Sequence, residues 1–404
     1  MSLIGSAFRS LITKESVWGD VHKSPYNAEF GLTYGSGGQS FAGISITHEV
    51  ALTFSAVFAC VRLISDTVSS MPVELLQAYP TGKYRRPKLP WMVSPNPEMT
   101  WQSFVQQLVT ARLMDGNAYI IPVTVGGRVT ELWPVDPRVV EVVRMKDTGD
   151  LAYAIRKKQP IDGREIIHLR GLTIPGYDKG LSPVECARHT IGLGLSAEKH
   201  GSKMFAQGTA FDTVIKAKKS LTPEQAKQLA QGFALGHAGG DKAFSVAVVD
   251  NDADVQHLSM TAEEAQFLAT RQFQVEEVAR WYGVPPHRIA LTEKATSWGS
   301  GIEQQNIAYL QDAITPIIVS LEAALTPLVR YENPDYYVKF NVSGLMRGDM
   351  AARKDYYKAL WEVGAYSPDD ILALEDMNPL PGGIGKQHYV PMNFAPIGAP
   401  GGAE

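Results

Sequence analysis

The period of the hydrophobic residues changes twice along the chain, and this constrains its fold more than any other feature. Residues 100–115 carry apolar side chains at helical spacing between a Thr100 cap and a Gly116 stop, which predicts a helix. Apolar residues then alternate over short stretches, which predicts strands at residues 118–125, 129–135, 139–144, 152–156 and 165–170. Gly126-Gly127 indicates a hairpin. An α+β domain with a mostly antiparallel sheet follows from this order.

The helical period returns after Gly180, and helix starts are marked by capping sequences. Ser182-Pro183-Val184-Glu185 and Ser367-Pro368-Asp369-Asp370 are two of them. Two long helices are predicted at residues 183–207 and 262–282, the second about 30 Å long. The chain between them predicts a small α/β insert, with strands at residues 213–216 and 243–249 around a helix that begins at Pro223.

A polar stretch of small residues, 292–300, precedes another long predicted helix at residues 301–330. Pro316 lies inside this helix and should kink it, because proline lacks the backbone donor and clashes with the preceding turn. Residues 1–45 and the chain after Pro379 are rich in Gly and Pro or weakly patterned, which predicts extended, flexible ends.

Composition limits the kinds of function that this chain can have. The 404 residues carry a formal net charge of −4, so the basic excess of a tight nucleic-acid binder is lacking. Cys60 and Cys186 lie in apolar helical contexts and are interpreted as reduced packing residues. The most apolar segment, residues 50–68, contains Arg62 and Asp66, so we interpret it as one buried core helix of a soluble protein.

The helix predicted at residues 262–282 has apolar side chains on two faces. One stripe carries Phe267, Leu268, Val275, Val278 and Tyr282, with Arg271 inside it. Phe273 lies nearly opposite, among charged residues such as Glu276 and Arg280. Two interpretations remain open on this evidence: the helix is buried inside one subunit, or it packs within the subunit and also against a neighbour.

Motifs for chemistry are scarce, so we expect no catalytic residue, no metal and no cofactor. The sequence contains no Gly-x-x-x-x-Gly-Lys-Ser/Thr loop and no His-Glu-x-x-His or clustered Cys/His pattern. Gly192 and Gly194 match a dinucleotide fingerprint loosely, but they fall inside a predicted helix and indicate close packing instead. Glu185 and His189 share a helical face without a third ligand, so we interpret them as a surface pair.

Several segments, in their order along the chain, resemble the portal protein family of long-tailed phages, which carry double-stranded DNA. They are Gly180-Leu181-Ser182-Pro183, Phe205-Ala206-Gln207-Gly208-Thr209-Ala210, Leu221-Thr222-Pro223-Glu224, Glu276-Glu277-Val278-Ala279-Arg280-Trp281-Tyr282-Gly283-Val284-Pro285-Pro286 and Glu303-Gln304. The resemblance covers roughly residues 45–385.

The resemblance implies a dodecameric ring at one capsid vertex of the virion, assembled in the host cytoplasm, without a membrane. Double-stranded DNA would pass through it, and its partners would be the terminase large subunit, the major capsid protein and a head–tail adaptor. The implied parts are a flexible arm (1–45), an α+β wing (46–181), a first stem helix (182–208), a clip (209–257), a second stem helix (258–284), a tunnel loop with a kinked wing helix (285–344), a helical crown (345–380) and a flexible tail (381–404).

Site residues follow from the same resemblance. In the DNA channel it places the tunnel-loop residues Glu293, Lys294, Ala295, Thr296, Ser297 and Trp298. In the clip it assigns partner docking to Lys216, Lys218, Lys219 and Glu224, although such a basic run is more often a solvated face. In the stem it assigns the subunit interface to Glu264, Arg271, Phe273 and Glu276.

Two functions of other classes compete with this one. The first is a metal-dependent nucleic-acid-processing enzyme whose carboxylates meet only in space, for which the candidates are Asp178, Asp212, Asp252, Asp254 and Asp312. Metal-dependent cleavage of DNA by the purified protein would identify it. The second is a ring-forming scaffold unconnected with phage, which the neighbouring genes would distinguish from a portal.

Overall fold

The computed structural model describes residues 21–23, 39–80, 82–145, 148–156, 158–207, 213–217, 222–224, 253–257, 262–291, 300–342, 350–375 and 377–389. The chain divides into two compact units. The first comprises Met1–Ser70 and Leu75–Val338, and the second comprises Met71–Glu74 and Lys339–Glu404. Both helices and strands are present, as the predicted α+β class requires.

The elements are numbered along the chain. The helices are α1 (His48–Thr53), α2 (Ser55–Ser69), α3 (Pro90–Val93), α4 (Trp101–Asp115), α5 (Pro183–Cys186), α6 (Arg188–Gln207), α7 (Ala262–Tyr282), α8 (Ser300–Tyr309), α9 (Thr315–Arg330), α10 (Met350–Glu362) and α11 (Pro368–Leu374). The strands are β1 (Val21–Lys23), β2 (Val73–Tyr79), β3 (Gly82–Arg86), β4 (Asn117–Val125), β5 (Arg128–Val135), β6 (Val140–Met145), β7 (Leu151–Ile155), β8 (Ile161–Asp162), β9 (Ile167–Arg170), β10 (Thr213–Ala217), β11 (Ala253–His257) and β12 (Tyr336–Phe340).

The predicted helix-then-meander arrangement of the first unit is confirmed. The Thr100 hydroxyl accepts from the Ser103 amide at the start of α4, and Gly116 ends the helix in the left-handed region. Gly126 and Gly127 form the β4–β5 turn with positive φ angles, as a two-residue hairpin requires. The sheets have the orders β5-β4-β9 and β1-β6-β7-β8, and every pairing in them is antiparallel.

Residues from both of these sheets share one core. Tyr119 of β4 packs with side chains from β6 and β7, which include Val142 and Tyr153. Burial of this alternating set stabilises the meander, because each strand turns one face inward. The short hairpin of β2 and β3 precedes α3, and α2 packs against α4 beside the sheet.

Two helices that the sequence predicts as continuous are interrupted. The prediction of one helix at residues 50–68 is wrong, because Phe54 adopts extended backbone angles between α1 and α2. The buried Phe54 ring lies against Gly194, where a Cβ would come within 2.6 Å of the ring. The interpretation of Gly194 as a packing residue is thereby confirmed. The prediction of one helix at residues 183–207 is also wrong, since α5 ends at Cys186 and α6 begins at Arg188.

The capping sequences form to different extents. Ser367 and Asp370 make the full reciprocal box at the start of α11. At α5 the Ser182 hydroxyl accepts from the Glu185 amide, but the Glu185 carboxylate pairs with Arg188 at 3.5 Å.

The helix predicted at residues 301–330 is disturbed where proline was expected to disturb it. The α-helical pattern widens into a π-helical turn at Leu310–Ile314, and α9 begins just before Pro316. Because Pro316 has no amide proton, the wide turn reroutes the hydrogen bonds around it. By length and composition Gln304–Arg330 is also apolar enough to cross a membrane, a test that core helices of soluble proteins pass too. Ile318, Leu321 and Leu325 of α9 are buried in this protein.

Candidate assembly surface and channel-loop base

The two long helices α6 and α7 pack against each other. Arg271 of α7 donates to Glu198 of α6 at 3.3 Å, so this predicted interface residue ties the two helices together within one subunit. The inner face of α7 buries Gln274, Val278 and Tyr282. For residues 262–269 of α7, which include Glu264, the structure describes the backbone and not the side chains.

The outer face of α7 carries two exposed aromatic side chains. Phe273 is 52% exposed and Trp281 is 46% exposed, with the ion pair of Glu277 and Arg280 between them. These four residues fall within about 100° of the helix surface, and we call them the α7 aromatic face. Large exposed aromatics on one helix face are typical of interaction sites. Within the described half of α7, the interpretation as a helix buried inside one subunit is therefore wrong.

Sequence reasoning identified Phe273 but missed Trp281. The two are eight residues apart, so they lie about 80° apart on an α-helix and belong to one face. That spacing was the sequence signal from which Trp281 could have been predicted on the same face. Glu276 is half-buried beside this face.

The predicted tunnel-loop residues Glu293 to Trp298 lie outside the described residues, but both ends of that loop are described. Asn306 of α8 contacts the chain that precedes the loop, because its Oδ1 lies 3.1 Å from Arg288 Nη1 and 3.3 Å from His287 Nε2. The Arg288 guanidinium also lies 4.8 Å from the centre of the buried Tyr309 ring. We call His287, Arg288, Asn306 and Tyr309 the loop clamp, because they join the chain before residue 292 to the helix after residue 299.

The residues predicted to dock partners at the clip are only partly described. The chain places Lys216 of β10 opposite Asp254 of β11 in the antiparallel register. Glu224 is exposed, whereas Lys218, Lys219 and the strand predicted at residues 243–249 lie outside the described residues. Sequence analysis missed β11, the partner of β10.

A buried polar cluster connects the sheet to the start of the long helices. The Asn117 side chain donates to Gly180 O and accepts from Gly180 N, at 3.0 and 2.7 Å. His168 Nε2 lies 2.9 Å from Asn117 Oδ1, while Tyr153 OH and Arg170 Nε both lie 3.2 Å from His168 Nδ1. We infer the neutral tautomer with its proton on Nε2, since Asn117 Oδ1 can only accept.

Burial, together with the positive charges of Arg170 and Lys179, lowers the pKa of His168 to about 3. The ring is therefore neutral at physiological pH and acts as a fixed hydrogen-bonding spacer. Asp178, one of the carboxylates considered for catalysis, is buried and paired with Arg144. Among the described residues no group of three His, Cys, Asp or Glu side chains is arranged to hold a metal ion.

Cys60 and Cys186 are both free thiols. Burial raises the pKa of the Cys60 thiol to about 12, and burial also raises that of Cys186. High thiol pKa values disfavour the nucleophilic thiolate. Both residues therefore fit the packing role inferred from sequence.

Solved structures of phage-like particles share this fold. One chain, from the neck of an empty gene transfer agent particle computed with C6 symmetry, aligns over 89% of this chain and 99% of its own length, with a TM-score of 0.60 and 20% identity. Another, from the virion of the native particle, covers 82% of this chain and 92% of its own, with a TM-score of 0.58 and 20% identity. The fold is thus shared with chains of these particles.

The chain belongs to the phage portal protein family, whose model matches residues 55–376. It is 34% identical over 382 residues to the probable portal protein of Streptomyces phage phiC31, a match that covers 90% of this chain and 83% of that protein. It is 31% identical over 370 residues to the portal protein of Enterobacteria phage HK97, over 86% of this chain and 85% of that protein. The resemblance drawn from the ordered segments is confirmed.

Proposed function

We propose that twelve copies of this chain close into a ring at one capsid vertex and that double-stranded DNA passes through its centre during packaging and ejection. The observation that carries the proposal is membership in the portal family over residues 55–376. Relatives of the same fold come from particle necks computed with C6 and C12 symmetry. The protein would assemble in the host cytoplasm and act in the virion.

The α7 aromatic face supports the ring. Phe273 and Trp281 each keep about half of their surface in water, although full burial of such a side chain stabilises by roughly 1.5–3 kcal/mol. Contact with a neighbour would recover part of this in every subunit. Glu264, Phe273 and Glu276 are thus proposed at the interface, with Arg271 holding α7 against α6.

The proposed channel loop comprises Glu293, Lys294, Ala295, Thr296, Ser297 and Trp298. DNA must slide in both directions, and strong phosphate contacts would slow it. A chain of net charge −4 with a small, polar loop suits this demand. The loop clamp supports the proposal, because a loop that approaches moving DNA needs rigid ends.

Docking is proposed at the clip and the wing. Lys216, Lys218, Lys219 and Glu224 would contact the terminase large subunit during packaging and the head–tail adaptor afterwards, while the wing would contact the major capsid protein. Charged side chains suit partners that are exchanged, since they speed association more than they tighten it.

The test removes residues 293–299, with a seven-residue Gly/Ser replacement of the same stretch as the control for length. We expect the deletion to form rings in negative-stain microscopy but to lose DNA packaging or retention. The replacement separates loop length from loop chemistry. Normal packaging by the deletion would contradict the channel assignment.

A second variant tests the loop base. Asn306→Ala removes the acceptor that holds His287 and Arg288. We expect intact rings with reduced DNA retention. Gln305→Ala, at an exposed neighbouring position of α8, is the matched control and should retain DNA normally. Equal retention by both variants would refute the role of the clamp.

A further inference from the structure

The described side chains of the C-terminal helical segment, residues 350–389, bury little apolar surface. Among the side chains described between residues 354 and 389, no hydrophobic one is buried, and the buried residues there are Ser367 and Gly385. Leu360, Ile371 and Leu372 are half-buried. Helices of 13 and 7 residues are marginal by themselves in water, because most helical stability in proteins comes from packing an apolar face.

The internal contacts of this segment are partly aromatic, such as Tyr356 edge-on to Tyr366 with ring centres 6.5 Å apart, and otherwise polar. The Tyr357 hydroxyl of α10 donates to Glu375 after α11. Asp369 accepts from the Leu380 amide at 2.9 Å, and a Cβ at Gly385 would lie 1.8 Å from the same carboxylate oxygen. The other oxygen, Asp369 Oδ2, is buried without a hydrogen-bond partner in the structure. These contacts specify a geometry, but they contribute little of the apolar burial that drives folding.

Two separate aromatic faces of α10 remain exposed. Tyr356 and Val363 lie within about 20° of each other around the helix, and both are exposed. Trp361 lies about 140° away from Tyr356 and packs beside Tyr389, with ring centres 6.2 Å apart. Tyr357, whose hydroxyl contacts Glu375, lies between these two faces around the helix.

The two faces are chemically complementary. The Tyr356 face is an aromatic ring beside an aliphatic side chain. Lys354 and Lys358, both exposed, lie on one side of Trp361 around the helix, and Lys358 pairs with Glu362 at 3.8 Å. Lysine stems cover apolar surface while their ammonium groups remain in water, and ammonium groups are attracted to aromatic faces. Closed rings use such pairs, because in a head-to-tail contact each copy presents two different surfaces.

We propose that the Tyr356 face of one copy binds the Trp361 face of the next, so that the C-terminal helical segment becomes stably folded only within the assembled ring. The proposal rests on the ring put forward above and adds a coupling of folding to assembly. A second copy of this chain is the occupant, since one helix carries both halves of the contact.

Hydrogen exchange measured by mass spectrometry on the full chain tests the coupling. Rings and dissociated subunits are compared at one pH and temperature, with microscopy of each sample. Amides of residues 354–375 should exchange at least about tenfold more slowly in rings. Those of α4, whose Phe104, Val105 and Leu108 are buried within the subunit, should exchange alike in both.

Two variants decide whether the faces are responsible. Trp361→Ala should remove the tenfold protection in rings, whereas Ile384→Ala, which truncates a more exposed apolar side chain outside α10, should keep it. Fast exchange of residues 354–375 in well-formed rings overturns the proposal and leaves the ring standing. Protection of these residues that arises only when another virion protein is added also overturns the proposal. Absence of rings at every concentration overturns the proposed function itself.

Discussion

Replacing Gly116 by alanine should destabilise the protein severely, because two effects coincide at this residue. Gly116 has φ +79°, and forcing an alanine into the left-handed region costs about 1–2 kcal/mol. The new Cβ would also lie 2.0 Å from the carbonyl oxygen of Leu181, where ordinary contact begins at 3.4 Å. The backbone around Leu181 must therefore move by more than about 1 Å.

That movement would break the buried polar cluster. Gly180, next to Leu181, exchanges two hydrogen bonds with Asn117, which is fully buried. Each buried group left without a partner costs about 1–3 kcal/mol. With one group unpaired for each of the two hydrogen bonds, the sum for Gly116→Ala is roughly 3–8 kcal/mol, a large share of the stability of an ordinary domain.

Gly127→Ala is the matched control. Its φ is +80°, nearly the same as that of Gly116, but a Cβ there meets no atom within 4 Å. We expect this variant to lose about 1–2 kcal/mol. The assay is urea denaturation followed by tryptophan fluorescence, with the free energies of unfolding compared. Losses that agree within about 1 kcal/mol would refute the argument that close approach at Gly116 dominates.

Three other outcomes are expected. Phe273→Ala and Trp281→Ala should each weaken rings in sedimentation velocity, whereas Val319→Ala, an equally exposed residue of α9, should not; equal effects of all three would contradict the α7 aromatic face as the contact. The free energy of unfolding should fall as pH drops from about 6.5 toward 3, by up to about 1.4 kcal/mol per pH unit, because His168 takes up a proton in the unfolded chain but not when it is buried. Urea denaturation of His168→Gln at several pH values should show a weaker dependence of this free energy on pH. An unchanged dependence would exclude His168 as the cause. Cys60, whose pKa is raised to about 12, should react with a thiol reagent only on unfolding, and labelling of the native protein at Cys60 would refute its burial.

Local sequence signals were sufficient to predict the fold where neighbouring residues alone determine the backbone conformation. The Thr100 cap, the Gly116 stop and the Gly126-Gly127 turn are local choices, and the structure has all three. The breaks at Phe54 and between α5 and α6 are different. Phe54 leaves the helix with its ring packed on Gly194, and no window of sequence around residue 54 contains that partner.

The candidate site was predictable to a similar degree. Phe273 stood out because it breaks the apolar stripe of its helix, and it is exposed as that pattern predicts. Arg271 could not be assigned from spacing, since its partner Glu198 is 73 residues away. The loop clamp was not predicted, because Arg288 and Asn306 belong to different helical turns and their contact exists only in the folded structure. The tunnel-loop roles of Glu293 to Trp298 remain predictions.

The most direct test of the ring is electron microscopy of the purified full-length protein, with mass photometry of the same sample over a range of concentrations. We predict annular particles of twelve copies with a central hole of roughly 20 Å or more, wide enough for a duplex. A single copy of the chain at every concentration would contradict the proposed function.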